Sequence, residues 1–294
     1  MILSISAYNF MRWRGNARII TVFLLDFILC YLLTDKAVQF AASHETTMQI
    51  FEAFIWTFGD SNAILLTSLL LMILFADMPF ITTATPFYLL RTTRRLWVMG
   101  QMVYTAIATM VFMMFTLLAT VLLTMQNAFS GNRWSRTAAA LAYSGEGKNL
   151  NLPSAVKAIE MSRPWQSMMA VFGLVLLYAL VMVFVMLFFN IWKSQTMGIA
   201  AVVIFSGYGA LLNPANIQKV FNLPDQLAYK ARVWVGWLSP LNHATYYMHN
   251  FGYDKLPTLK QTALLGILLL ILLLSGTVLA MRQYAFSFGG TEGK

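Results

Sequence analysis

Six separate apolar runs, each close to or longer than the roughly 20 residues that carry a helix across a bilayer, recur along this chain and dominate what it can fold into. They extend approximately from Ile19 to Ala42, Ile55 to Ala76, Leu96 to Met125, Met168 to Trp192, Ser194 to Asn213 and Thr262 to Met281. Composition agrees: 59% of the residues are hydrophobic, 11% are charged and the mean hydropathy is +0.66, outside the range of a soluble globular domain. The expectation is an all-α, polytopic membrane protein, one transmembrane domain over 1–294 with six transmembrane helices. An even number of crossings puts both termini on one side.

Which side follows from the tendency of cytoplasmic segments beside spans to carry Lys and Arg. With the N-terminus inside, Arg12, Arg14, Arg18, Arg91, Arg94, Arg95, Lys193, Arg282 and Lys294 are cytoplasmic, nine against eleven elsewhere. Ten of those eleven fall in two long loops, 126–167 and 214–261, whereas the nine crowd into short segments at span ends. Density therefore places both termini in the cytosol and the two loops outside the cell.

The net charge of +9 comes without a basic face interleaved with aromatics, so nucleic acid is not expected and anionic membrane lipids are the simpler partner. Cys30, the single cysteine, lies inside the first run, where it fills apolar space and cannot form a disulfide within the chain. The first 18 residues place their charges late and show no small-residue cleavage site, so they do not read as a cleaved signal. On a helix Leu3, Ala7, Phe10 and Met11 fall near one face, with Arg12 and Arg14 beyond, which suggests an amphipathic interfacial helix over 1–18. An irregular tail whose arginines only set topology is the alternative. The 214–261 loop is dense in Trp and Tyr, residues that favour the membrane interface, and short interfacial or partly re-entrant helices are expected there.

Catalytic signatures fail. "GEGK" at Gly145–Lys148 resembles part of a phosphate-binding loop, but Ala142 and Asn149 stand where that motif requires Gly and Ser or Thr. "GYG" at Gly207–Gly209 lies in an apolar run and reads as close helix packing. His44, His243 and His249 show no metal-ligand spacing and suit ordinary interfacial hydrogen bonding. The chain is not expected to be an enzyme, and no cofactor or metal is expected in it. Inside the membrane, where ionisable groups are costly, Asp26 stands near the middle of the first span. It suits either a transport pathway or a structural polar contact, and Asn190, at the inner end of the fourth span, suits interhelical hydrogen bonding.

One stretch resembles neither span nor loop: "ADMPFITTATPFYLLRTTRRLWVMGQ", Ala76 to Gln101. Asp77 followed by Pro79 can end one helix, and Thr85 followed by Pro86 forms an N-cap with proline at the first helical position. A short helix through Phe87, Tyr88, Leu89 and Leu90 is then expected, with Arg91, Arg94 and Arg95 near its C-terminal end, where the helix dipole favours cations. Apolar side chains beside a charge cluster make a docking surface out of this elbow at 77–96; arginines that merely enforce topology are the alternative.

On these features the chain resembles a type-2 ABC exporter permease. The resemblance rests on the six spans, the N-terminal helix, the Asp77–Trp97 pattern, the tight "NIWKSQTMG" turn and the "WLSPLNHA" segment before the last span. It implies a cytosolic coupling helix between spans two and three that fits a groove of a separate ABC ATP-binding subunit. Pro86, Phe87, Tyr88, Leu89, Arg91, Arg94 and Arg95 would be the docking residues, with ATP and Mg held by that partner. It further implies pairing with a second permease copy or paralogue in a bacterial cell membrane. The 42-residue loop at 126–167 departs from the plainest members. Abundant Met and Phe with few membrane charges suggest a hydrophobic or amphipathic cargo, a peptide toxin or bacteriocin before a drug or lipid, although such residues also face lipid. An ion-coupled secondary transporter centred on Asp26 and a non-transporting membrane immunity or scaffold protein are the alternatives.

Overall fold

A computed structural model describes residues 1–82, 85–149, 152, 156–212, 214–222, 224–252 and 254–286. The described residues are largely α-helical. A first helix, α1 (Ile2–Met11), precedes the long α2 (Ala17–Ser43); Gly15, at φ +82°, turns the chain between them, and Asn16 caps α2 by accepting from the Arg18 amide at 3.1 Å. There follow α3 (Glu52–Phe58), α4 (Ser61–Leu74), the short α5 (Thr85–Arg91) and α6 (Arg94–Thr124). Three short helices, α7 (Arg136–Tyr143), α8 (Glu146–Asn149) and α9 (Val156–Met161), occupy the 126–167 loop before α10 (Pro164–Trp192). The chain then continues through α11 (Gln195–Leu211), α12 (Pro214–Val220), α13 (Ala228–Leu238), α14 (Pro240–Ala244) and α15 (Leu259–Ala280). A two-residue parallel pairing, β1 (Met48–Gln49) with β2 (Ala128–Phe129), ties the segment after α2 to the one after α6.

Four helices, α2, α6, α10 and α15, are long and apolar enough to cross a membrane, and six crossings result if two bent pairs each count as one. This is a polytopic membrane protein. The second expected span is not continuous: α3 and α4 meet at 83° across Gly59 and Asp60. Asp60 adopts an extended conformation and caps α4 by accepting from the Asn62 amide at 3.2 Å, so a carboxylate that could not sit comfortably inside a helix starts a new one. With 14 residues, α4 alone is about 21 Å long against a hydrocarbon core of about 30 Å. The fifth expected span corresponds to α11, and the chain bends by 78° at its end into α12, which lies in the expected 214–261 loop.

Helix α10 is the hub. It packs against α3, α4, α6, α11, α14 and α15, and 67% of its most apolar window is buried, against 6% for α15. Because lipid tails are as apolar as leucine, α15 gains nothing by hiding its leucines, and its outer face is the one a bilayer contacts. Where helices do meet, small residues permit it. A Cβ on Gly209 would lie 2.8 Å from the Leu241 Cβ on α14, whereas one on Gly207 would meet nothing. Only the second glycine of "GYG" serves packing.

The N-terminal helix packs differently from its expected pattern. Ile5, Ser6 and Asn9 are buried against α6, while Leu3 and Met11 are exposed and Phe10 is half-buried. Asn9 donates to the Gln101 Oε1 at 3.0 Å in a buried contact, and the Trp13 indole donates to the Tyr104 hydroxyl at 2.7 Å. Asn9 and Trp13 thus tie this segment to α6 by hydrogen bonds while Ile5 packs into the core, and Leu3, Ala7 and Met11 point outward.

Candidate functional site

The stretch from Ala76 to Gln101 forms an elbow at the end of the bundle that also holds α1 and the C-terminal segment. Its entry is anchored. Met78 is fully buried, its carbonyl accepts from the Asn190 side-chain amide of α10 at 2.7 Å, and its sulfur accepts from the Thr105 hydroxyl of α6 at 3.5 Å. Phe80 packs edge-on to Tyr104 at 5.0 Å between ring centres. Asp77 pairs with Arg18 at 2.7 Å, joining the elbow to the first turn of α2, although both side chains are partly exposed and the pair contributes little. Asn190, expected to make an interhelical bond, bonds instead to the backbone that begins the elbow.

Helix α5 opens at Thr85 and Pro86, and the Thr85 hydroxyl accepts from the Thr82 amide at 2.8 Å rather than capping α5 from outside. It ends at Arg91, where Thr93 turns extended and caps α6 by accepting from the Leu96 amide at 3.3 Å. Arg94 and Arg95 therefore do not close α5; they stand in the first turn of α6. Cations there oppose the helix dipole by about 0.3–1 kcal/mol each, so their placement does not serve helix stability. Arg94 donates to the Tyr284 carbonyl at 3.1 Å and lies 5.6 Å from the centre of the Phe286 ring, which ties the C-terminal segment to the elbow.

The exposed apolar residues also differ from those expected. Phe87 is 69% exposed and Leu90 84%, while Pro86, Tyr88 and Leu89 are half-buried. Tyr88 meets Tyr8 of α1 edge-on at 5.8 Å, and both it and Leu89 pack against the bundle core. Phe87 and Leu90, three residues apart, share one face of α5; Arg91, Arg94 and Arg95 are exposed beside them. Leu90, not named among the expected docking residues, is the most exposed apolar residue of α5, and its i, i+3 spacing from Phe87 is the signal in sequence that places the two on one face.

Asp26 is fully buried where α2 meets α6, and one carboxylate oxygen accepts from the Thr116 hydroxyl at 2.8 Å. Cys30, one turn along, directs its thiol to the Thr116 carbonyl at 3.9 Å. The geometry is that of an interhelical polar contact. At the opposite end of the bundle Glu52, also fully buried, accepts from the Ser135 amide at 2.7 Å, the Ser135 hydroxyl at 2.6 Å and the Gln49 amide at 3.0 Å. This carboxylate joins β1, α3 and the start of α7, and its signal in sequence is a lone acid within an apolar segment. No protein family, curated protein or solved structure matches this chain.

Proposed function

We propose that this chain is the transmembrane permease subunit of an ATP-driven exporter of the type-2 ABC class, with α5 as the coupling helix that docks into a separate ATP-binding subunit. The observation that carries this reading is a short helix presenting Phe87 and Leu90 outward beside Arg91, Arg94 and Arg95, on an elbow anchored to the central helix through Asn190 and Met78. Apolar anchors rimmed by arginine have the composition of a protein interface core. A lone exposed helix on loose loops could not transmit force; this one is fixed to α10 and α6 behind and to α1 at its side. ATP-driven closure of two partner subunits would push on two such elbows, in this chain and in a second copy or paralogue, and shift the spans between inward- and outward-facing states. In this scheme the termini are cytoplasmic, ATP and Mg belong to the partner, and the cargo is hydrophobic or amphipathic, a peptide before a drug or lipid.

The test is co-purification. The chain is expressed with the ATP-binding protein encoded beside it and pulled down by its own tag, as wild type and as Phe87→Asp with Arg94→Glu. The ATPase should accompany wild type and be lost from the double variant while the membrane protein remains monodisperse. Full retention by the variant, or no ATPase with wild type, removes the docking role.

A further inference from the structure

At the end of the bundle away from the termini, a cavity of about 150 Å³ lies between α10, α11, α14 and α15. Leu177, Val181, Phe205, Leu265 and Leu269 are among its apolar walls, and His243 and Thr262 form a polar corner. That volume is about what admits a benzene ring, so the space takes one ring or a short stretch of a single alkyl chain. It adjoins α15, the helix most open to lipid.

The polar corner lacks one proton. His243 places Nε2 3.0 Å from the Trp237 carbonyl and Nδ1 2.9 Å from the Thr262 hydroxyl. His249 places Nδ1 3.0 Å from the Thr245 carbonyl and 3.2 Å from that of Tyr246, and Nε2 3.0 Å from the same Thr262 hydroxyl. A carbonyl only accepts, so each ring spends a hydrogen on backbone and, when neutral, turns a bare nitrogen toward Thr262. One hydroxyl proton cannot serve both. A single added proton on either ring completes the chain from Trp237 through Thr262 to Thr245. Burial opposes this, since it lowers the proton affinity of both rings and pulls His249 down to about 4. Each ring faces the other across Thr262, and among the described residues that line the cavity the other titratable group is Tyr178, which approaches Ser206 at 3.4 Å. Among the described residues no carboxylate forms an ion pair with either histidine.

We propose that this cavity binds a membrane amphiphile with a single anionic head, the chain entering between Phe205 of α11 and Leu265 and Leu269 of α15 and the head at His243, and that binding is completed by one proton taken up by the His243–Thr262–His249 relay. An anion is selected because it provides the counter-charge that burial denies the imidazolium; a neutral head gains nothing from the missing proton, and a cationic one is repelled. The site makes no use of the docking surface at the other end of the bundle, and its failure would leave that reading intact.

The test uses the full chain in phosphatidylcholine discs, with empty discs as the blank. The probe is decyl sulfonate, whose head stays ionised throughout, so any pH dependence belongs to the protein. Calorimetry in buffers of differing ionisation enthalpy counts the protons taken up. The expected results are uptake approaching one proton per sulfonate bound and affinity rising up to about tenfold per unit as pH falls from 8 toward 6. Decanol should bind more weakly and without pH dependence. His243→Gln and Thr262→Val should each abolish the uptake, and Leu265→Trp, which fills the cavity, should abolish binding. Including phosphatidylglycerol in the discs should weaken sulfonate binding by competition; no competition overturns the assignment to a membrane lipid. Sulfonate binding without proton uptake in wild type, or equal affinity for decanol, overturns the proposal without recourse to any variant.

Discussion

Gly198 and Asn190 should be energetically coupled, because one glycine leaves room for the side chain that anchors the elbow. A Cβ on Gly198 of α11 would coincide with the Asn190 Oδ1 and would lie 2.8 Å from the Met186 carbonyl of α10. Gly198→Ala must therefore rotate Asn190 away and break its 2.7 Å bond to the Met78 carbonyl, leaving a buried acceptor unpaired. Asn190→Ala breaks the same bond directly. Each change should cost about 1–2 kcal/mol for that bond, since buried polar groups left unsatisfied cost about 1–3 kcal/mol and interhelical bonds in membrane proteins lie at the lower end. Gly198→Ala adds strain against the Met186 carbonyl, which Asn190→Ala does not relieve. In the double variant the bond is lost once rather than twice, so the combined cost should fall short of the sum by about 1–2 kcal/mol. Reversible unfolding in mixed micelles measures all four corners of the cycle. Additivity within about 0.5 kcal/mol would show that the glycine does not act through Asn190 and would refute the anchoring of the elbow to α10.

Three further outcomes follow from buried polar groups. Glu52→Gln places an amide against the donors from Ser135 and Gln49 and should destabilise the protein by about 1–3 kcal/mol; an unchanged unfolding midpoint would show that the carboxylate ties nothing together. His249 binds a proton near pH 6.5 when unfolded but only near pH 4 when buried, so the unfolded state holds the extra proton between those values. Stability should be full above about pH 6.5 and fall by about 3 kcal/mol toward pH 4, a loss that His249→Gln should flatten and that a pH titration of unfolding would expose if absent. The Thr116 hydroxyl has one proton for two acceptors, Asp26 at 2.8 Å and the Phe112 carbonyl at 3.1 Å. Asp26→Asn supplies the missing donor and should keep or raise the melting temperature without abolishing transport; loss of transport in a stable variant would restore the ion-coupled carrier.

The helical membrane character and the elbow's position were legible because both depend on short-range signals: runs long enough to span, and proline, threonine and aspartate at helix ends. What sequence did not reveal depends on contacts across the fold. The second span reads as continuous because Ile55 to Ala76 is apolar throughout, yet Asp60 caps a new helix and Tyr247, nearly 190 residues away, fills the space beside Gly59 that a side chain would occupy. Arg94 and Arg95 read as the end of α5 because nothing local announces that Thr93, rather than Thr85, is the threonine that caps a helix. Tyr88 and Leu89 read as docking anchors because the hydrophobic pattern cannot say which side of a seven-residue helix meets the bundle; Tyr8 and the core settle that. The two histidines, six apart and on no common helical face, come together only because α15 brings Thr262 between them.

The most direct test of the elbow as an ATPase-docking surface is site-specific cross-linking from its most exposed apolar position. A photoreactive residue is introduced in place of Leu90, which is 84% exposed, and in parallel in place of Leu272 on the lipid-facing side of α15, 67% exposed. Irradiation of native membranes should yield a protein adduct containing an ATP-binding subunit from the Leu90 position and none from Leu272. An adduct with lipid alone at Leu90, or the same ATPase captured equally from both positions, would contradict the account.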